Sequence, residues 1–185
     1  LLSVLAPYLS SFPFDEVYWD SISTPPDLAS GHIFGTDENG RDLFVRTLYG
    51  ARVSLTIGVA ANGLAMLIGV SVGLLGGYFS GWAGTLVMRV TDVMMAFPVL
   101  LLAIALVAVL HPSLWIVIGV IAFVYWTPIA RIVHGQVLSV KEREFVEAAA
   151  AVGAGRWRIM LRHVLPHLLP VIIVYTTLGI ATNVL

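Results

Sequence analysis

Cysteine is absent from the 185-residue sequence, which excludes disulfides, iron–sulfur clusters and thiolate zinc sites but does not indicate a compartment. Charge is scarce as well. Asp, Glu, Lys and Arg together make up 11% of the chain, against about 25% in soluble domains. The net charge is −1, so no bulk electrostatic case for a nucleic-acid partner exists. Apolar residues fill the space: 58% of the chain is hydrophobic and the mean hydropathy is +0.92. This is an all-α membrane protein by composition, with the lipid bilayer as its first partner.

"LLSVLAPYLS", residues 1–10, lacks the basic flank and small-residue cleavage site of a signal peptide. It reads as the end of a truncated transmembrane helix. The last stretch, "LGIATNVL", is again apolar, so the chain is expected to be an internal piece of a longer membrane protein.

No charge occurs from Val53 to Met88, a run of 36 residues. As one helix this is roughly 54 Å long, against a hydrocarbon core of about 30 Å. A break is therefore expected, supplied by Gly76-Gly77 with Ser80-Gly81, leaving a span near 53–76. The next charge-free run, from Val93 to Ala130, is divided by His111-Pro112-Ser113, because proline removes a helix donor and restricts the residue before it. Spans follow near 90–110 and 114–133, and the apolar run from Val164 onward supplies another. Pro98 and Pro128 are candidate kinks. Gly69, Gly73 and Gly77 form small-xxx-small repeats on one helix face, and the amide of Asn62 needs a partner inside the bundle. These four are read as helix-packing residues. Asp92, close to a membrane boundary, reads as a solvated helix end.

Crossing parity puts Arg89 and the loop 131–164 on one side, with seven of the ten basic residues. Residues 11–52 carry seven acids and three arginines on the other. The positive-inside rule then makes the loop cytoplasmic and 11–52 external, with a transmembrane domain over 53–185.

Several motifs suggest chemistry without its context. "GVSVG", residues 69–73, matches G-x-S-x-G, but a nucleophile elbow needs a strand-to-helix turn and Ser71 lies in a helical pattern. His163 and His167 are four apart, but Pro166 intervenes and no H-E-x-x-H is present. In "TDENGRD", residues 36–42, the glycine falls at the wrong place for an EF-hand. Asn39-Gly40 there reads as a turn, with Asp42 or Asp37 starting a helix. No Walker A pattern occurs. No catalytic residue, metal site or cofactor is expected in the chain.

The charge that exists is concentrated: eight charged side chains lie between Lys141 and Arg162. "KEREFVEAAAAV", residues 141–152, is built of helix formers. Glu144, Glu147, Ala148 and Ala151 share one side, while Phe145, Ala149 and Val152 line another. Gly153 ends the helix in a left-handed cap. "GRWRIMLRHV" restarts as a basic amphipathic stretch, and Pro166 opens the next span. A surface helix gripping anionic lipid accounts for Arg156, Arg158 and Arg162. It does not account for four alanines beside a glutamate, which bury little apolar area in lipid. A slim helix suits a protein groove better.

"EAAAAVG" (147–153) followed by Leu165-Pro166 resembles the cytoplasmic EAA loop of binding-protein-dependent ABC importer permeases. That pattern is E-A-A, three residues, G, nine residues, I, one residue, L-P; His163 stands at the isoleucine position. "RHVLP" is similar to the peptide and nickel branch, though His167 stands where that branch usually has asparagine. "FGTDENGRDLFVRTLYGARVSL" (34–55), "DVMMAFPVLLLAIALVAVL" and "EREFVEAA" resemble the C-type subunit of the dipeptide/oligopeptide/nickel branch. The resemblance covers nearly all of the chain.

The resemblance implies a type I ABC importer permease bundle of about six helices, about four of them complete or nearly complete here. It implies a second permease subunit, usually in a heterodimer, one or two cytoplasmic ABC ATPases that bind ATP and Mg, and an extracytoplasmic substrate-binding protein. Coupling to the ATPase falls to the EAA loop at about 134–164, through Glu144, Phe145, Glu147, Ala148, Ala149, Gly153, Arg156, Leu165 and Pro166. The expected location is a prokaryotic plasma (inner) membrane and the expected cargo a di- or oligopeptide. Nickel or another small solute is the alternative within the class. An ion-coupled secondary transporter is the alternative outside it, and would need acids in midspan.

Overall fold

A computed structural model of the protein describes residues 12–79, 81–111 and 113–184. The expectation for residues 1–10, and the parts of Ser80 and Pro112 in the two breaks, lie outside the described residues. The chain divides into two compact units, Leu1–Thr56 and Ile57–Leu185.

The first unit is a hydrogen-bonded loop structure with one 3-10 turn, Trp19–Ser21, leading into helix α1, Leu43–Tyr78. Backbone bonds from Tyr18 to Gly40 (2.9 Å) and from Leu43 to Gly35 (3.0 Å) close the loop on itself. Gly40 is left-handed, with φ +72°, and a side chain there would run into the carbonyl of Tyr18. The "TDENGRD" turn divides its acids by role. The Asp37 carboxylate accepts the backbone N–H groups of Asn39 and Arg41, each at 2.9 Å, and holds the turn. Asp42 accepts the N–H of Val45 at 2.8 Å and so caps α1. Its other oxygen lies 2.9 Å from Nδ1 of His32, and both side chains are buried. Backbone donors hold the Asp37 carboxyl below the ordinary aspartate value, led by the N–H of Arg41.

The second unit continues α1 and adds six helical elements: α2 (Trp82–Ala96), α3 (Val99–Val109), α4 (Leu114–Lys141), α5 (Glu144–Ala151), α6 (Arg156–Ile159) and α7 (Leu165–Val184). A π turn, Met160–Val164, joins α6 to α7. Among the described residues there is no strand beyond one isolated bridge, Thr36 to Asp42.

Three helical stretches are long and apolar enough to span a membrane: Leu43–Tyr78, Leu114–Lys141 and Arg156–Val184. Three expectations need correction. Gly76 and Gly77 remain helical, and α1 ends only at Tyr78, before Gly81 with φ +115°. The span expected near 90–110 is two helices bent by 85°. Pro98 sits at the N-cap of α3, where its fixed φ and missing donor stop the preceding helix at Ala96. Alone, α3 is only about 16 Å long, so the bent pair forms one broken crossing. Finally, α4 continues past the expected end near 133 to Lys141. Pro128 is tolerated inside it because the hydroxyl of Thr127 donates to the carbonyl of Val124, which the proline leaves without its helical donor.

Glycine positions give the helix directions. A Cβ on Gly69 would lie 2.7 Å from Cβ of Ile129, one on Gly73 2.8 Å from Val133, and one on Gly77 2.8 Å from Val137. Each step of four along α1 matches a step of four along α4, so the two helices run parallel in backbone contact. The chain must therefore return between them, which α2 and α3 do, both packing on α4. Helix α7 runs the other way: Asn62 contacts Thr176 and Gly58 meets Val184. The core lies where α1, α4, α5 and the π turn converge, around Leu74, Val137, Val146, Met160, Val164 and Leu168.

Candidate functional site

The charged loop is anchored before it begins. Lys141, the last residue of α4, donates from Nζ to the Gly77 carbonyl of α1 at 3.2 Å. This covers a carbonyl at the end of α1 that has no helical donor. After Glu142 and Arg143, α5 starts, with the Arg143 carbonyl accepting from Val146 (2.9 Å) and Glu147 (3.2 Å). Glu144 and Glu147 lie in its first turn, where the helix dipole favours negative charge.

Helix α5 has one buried edge and one open face. Val146 and Ala149, three apart, are buried in the core described above. Glu144, Phe145, Glu147, Ala148 and Ala151 are exposed. Two expectations change here. Ala149 does not belong to the surface offered outward. Its small side chain lets α5 sit close against its own subunit. The buried stripe is Val146 and Ala149; Phe145 and Val152, which share a side with Ala149 in the sequence pattern, are both exposed, Val152 at 85%. Phe145 instead stacks on the ring of His167, with centroids 4.4 Å apart and planes 18° apart. Neither Val146 nor this stack was singled out from sequence. The i, i+3 spacing of Val146 and Ala149 was the available signal.

Gly153 is left-handed, with φ +84°. Its N–H bonds the Ala150 carbonyl (3.0 Å) and that of Ala154 bonds Ala149 (3.1 Å), the paired bonds of a Schellman cap. Ala154 packs back on the core, so the chain reverses within two residues. Helix α6 follows with Arg156 and Arg158 exposed and Trp157 against Phe79, centroids 5.3 Å apart. Pro166 falls in the second position of α7, but no gap precedes it. The π turn leads straight in, with the Leu165 N–H reaching back to Met160. Leu165 is half-buried against the core and Pro166 is exposed.

Beside α5 lies a cleft of 460 Å³ bordered by Tyr78, Phe79, Glu142, Glu147, Ala150 and Arg156. Glu144, Glu147 and Arg156 form no ion pair among the described residues. Chemically the arrangement is a rigid, shallow surface of small side chains with acids on one side and arginines on the other. It is suited to receiving a protein partner.

The other singled-out residues have structural partners. Asn62 is buried and donates to the Thr176 carbonyl at 2.9 Å. Ser71 donates to the carbonyl of Leu67 at 2.7 Å within α1. Nδ1 of His167 donates to the His163 carbonyl at 2.7 Å. Asp92 is not merely solvated; it forms an ion pair with Arg131 of α4.

A helical membrane bundle with a short acidic, alanine-rich helix capped by a left-handed glycine between two spans defines the class of importer permeases. Residues 65–185 match the family described as binding-protein-dependent transport system inner membrane component, and the chain belongs to that family. It is 42% identical over its whole length to the dipeptide transport system permease protein DppC of Alkalihalophilus pseudofirmus, covering 60% of that protein. It is 40% identical over its whole length to the oligopeptide transport system permease protein OppC of Escherichia coli strain K12, covering 61% of it. Identity to the glutathione transport system permease protein GsiD of Pectobacterium atrosepticum is 38% over 98% of the chain and 58% of the relative. The chain spans about three-fifths of the length of these curated relatives.

Proposed function

We propose that this chain forms part of the membrane pathway of an ATP-driven importer of di- or oligopeptides, and that α5 is its point of coupling to a cytoplasmic ATPase. The observation that carries the reading is the two-sided character of α5. Val146 and Ala149 fix it to the core, while Glu144, Glu147, Ala148 and Ala151 remain open. A force applied to that face passes through packed side chains to α4 and α7 without a flexible joint. Peptide cargo is supported by the names of the relatives, two of which are dipeptide and oligopeptide permeases.

The chain has no catalytic role in this reading; ATP and Mg bind to the partner. The loop 131–164 faces the cytoplasm and residues 11–52 face a substrate-binding protein. The apolar outer faces of α3 and α7 meet lipid or a second permease subunit.

The test is ATP-dependent uptake of a labelled dipeptide by the full-length protein, reconstituted with its ATPases, second permease and binding protein. Uptake should vanish without ATP and fall with Glu147→Lys. Uptake driven by an ion gradient alone would refute the reading.

A further inference from the structure

The far ends of α1 and α4 and the beginning of α2 enclose a second cleft, of 330 Å³, that the α5 surface does not use. Gly76, Gly77 and Gly84 line it together with the polar side chains of Arg89, His134 and Lys141. Asp92 also borders it, but its charge is met by Arg131. Lys141 covers the Gly77 carbonyl, so the negative end of α1 is masked as well. Arg89 is exposed and forms no ion pair among the described residues. The cleft is therefore net positive, with a guanidinium whose planar fork matches phosphate oxygens.

Its depth bears on the ligand. The lining comes from the last turns of two long apolar helices, which is the level where a bilayer carries its headgroups. Trp82, at the start of α2, is 81% exposed, and Trp157 is 58% exposed. Indole rings prefer that same level. Leu86, Val90 and Val93 project from α2 as exposed apolar side chains beside Arg89, a surface that acyl chains cover well.

We propose that this cleft binds the phosphodiester headgroup of an anionic phospholipid, with Arg89 as the anchoring cation. Arg89 does not border the cleft beside α5, with which this one shares only Lys141, so the site can fail or hold independently of the coupling reading. Bound lipid bridges α1, α2 and α4 at the point where the broken crossing begins.

Native mass spectrometry of the full-length protein in detergent tests this with two lipids. Wild type should retain dioleoylphosphatidylglycerol in preference to dioleoylphosphatidylcholine. Arg89→Gln should lower that retention about fivefold, the effect of one basic residue near an anionic surface. Arg52→Gln, on the same helix as Gly76 but not among the residues that line the cleft, should not. Equal retention of both lipids by wild type overturns the proposal, and that comparison needs no variant to fold. Equal loss in Arg52→Gln and Arg89→Gln overturns it too. Displacement of the bound lipid by excess inorganic phosphate would make this a soluble-phosphate site and end the lipid assignment.

Discussion

The side-chain amide of Asn62, buried in α1, donates to the backbone carbonyl of Thr176 in α7 across 2.9 Å. Gly179, one turn further on, has no side chain because the Asn62 amide occupies that space. The pair locks the last helix against the first. Asn62→Ala should lower stability by about 0.6 kcal/mol, the average for interhelical bonds in membranes. Gly179→Ala should be worse, since its methyl group collides with the amide. Thermal unfolding in detergent of both variants checks the order; Gly179→Ala as stable as wild type would contradict the packing.

Gly73→Leu should prevent α1 and α4 from meeting, because even a Cβ would lie 2.8 Å from Val133 and 3.1 Å from the backbone N of His134. Gly63, on the same helix, has nothing within 4 Å of its Cβ position. Gly63→Ala should be neutral or stabilising by up to about 1 kcal/mol. Yield and melting temperature should therefore fall in Gly73→Leu and hold or rise in Gly63→Ala.

Within the loop, Ala149→Leu and Glu147→Lys separate stability from coupling. Ala149 is buried, so the larger side chain should cost about 1–3 kcal/mol through overpacking. Glu147 is exposed, and its reversal should lower the melting temperature only slightly, through the lost helix-dipole contact, while ATPase co-purification drops sharply. Gly153→Val should cost about 1 kcal/mol or more, since φ is +84°. If the loop served only to grip lipid, Arg156→Ala/Arg158→Ala would be the damaging change and Glu147→Lys would stay fully coupled.

The N-terminal unit should loosen in acid. Backbone donors, with the N–H of Arg41 first, hold the Asp37 carboxyl below 3.8, and those of Ala29 and Ser30 do the same for Asp27. A depressed carboxylate adds stability that is present above its unfolded value and is lost as pH falls through the folded one. Hydrogen exchange at Asn39 and Arg41 should thus be constant from neutral pH to about pH 4 after correction for intrinsic rates, then accelerate. Asp37→Asn should abolish that step.

Because the chain lacks cysteine, single-cysteine labelling reports topology cleanly. Ser139 and Ser23 are both exposed. An impermeant thiol reagent added to intact cells should modify Ser23→Cys and spare Ser139→Cys. The reverse pattern would invert the assigned sides.

Much of this protein is legible from its residues. Long charge-free runs require apolar helices, because an unpaired backbone group in lipid has no water to bond. The alanine run ending at Gly153 announces a short helix and its left-handed cap, since both are local properties of a few consecutive residues. The family resemblance lay in the same motifs. Where the reading failed, a distant partner decided. Gly76 and Gly77 stay helical because α4 packs on that face, with Val137 near Gly77 and Lys141 on its carbonyl. Pro98 breaks its span while Pro128 does not, and only in the second case does a neighbouring threonine hydroxyl take the orphaned carbonyl. Ala148 and Ala149 are identical in sequence terms, yet one is exposed and the other buried. Their difference arises from the core built by α1, α4 and the π turn. Composition and spacing determine which segments become helices. Which face of each is buried depends on neighbours that can lie more than a hundred residues away, and only the assembled bundle supplies them.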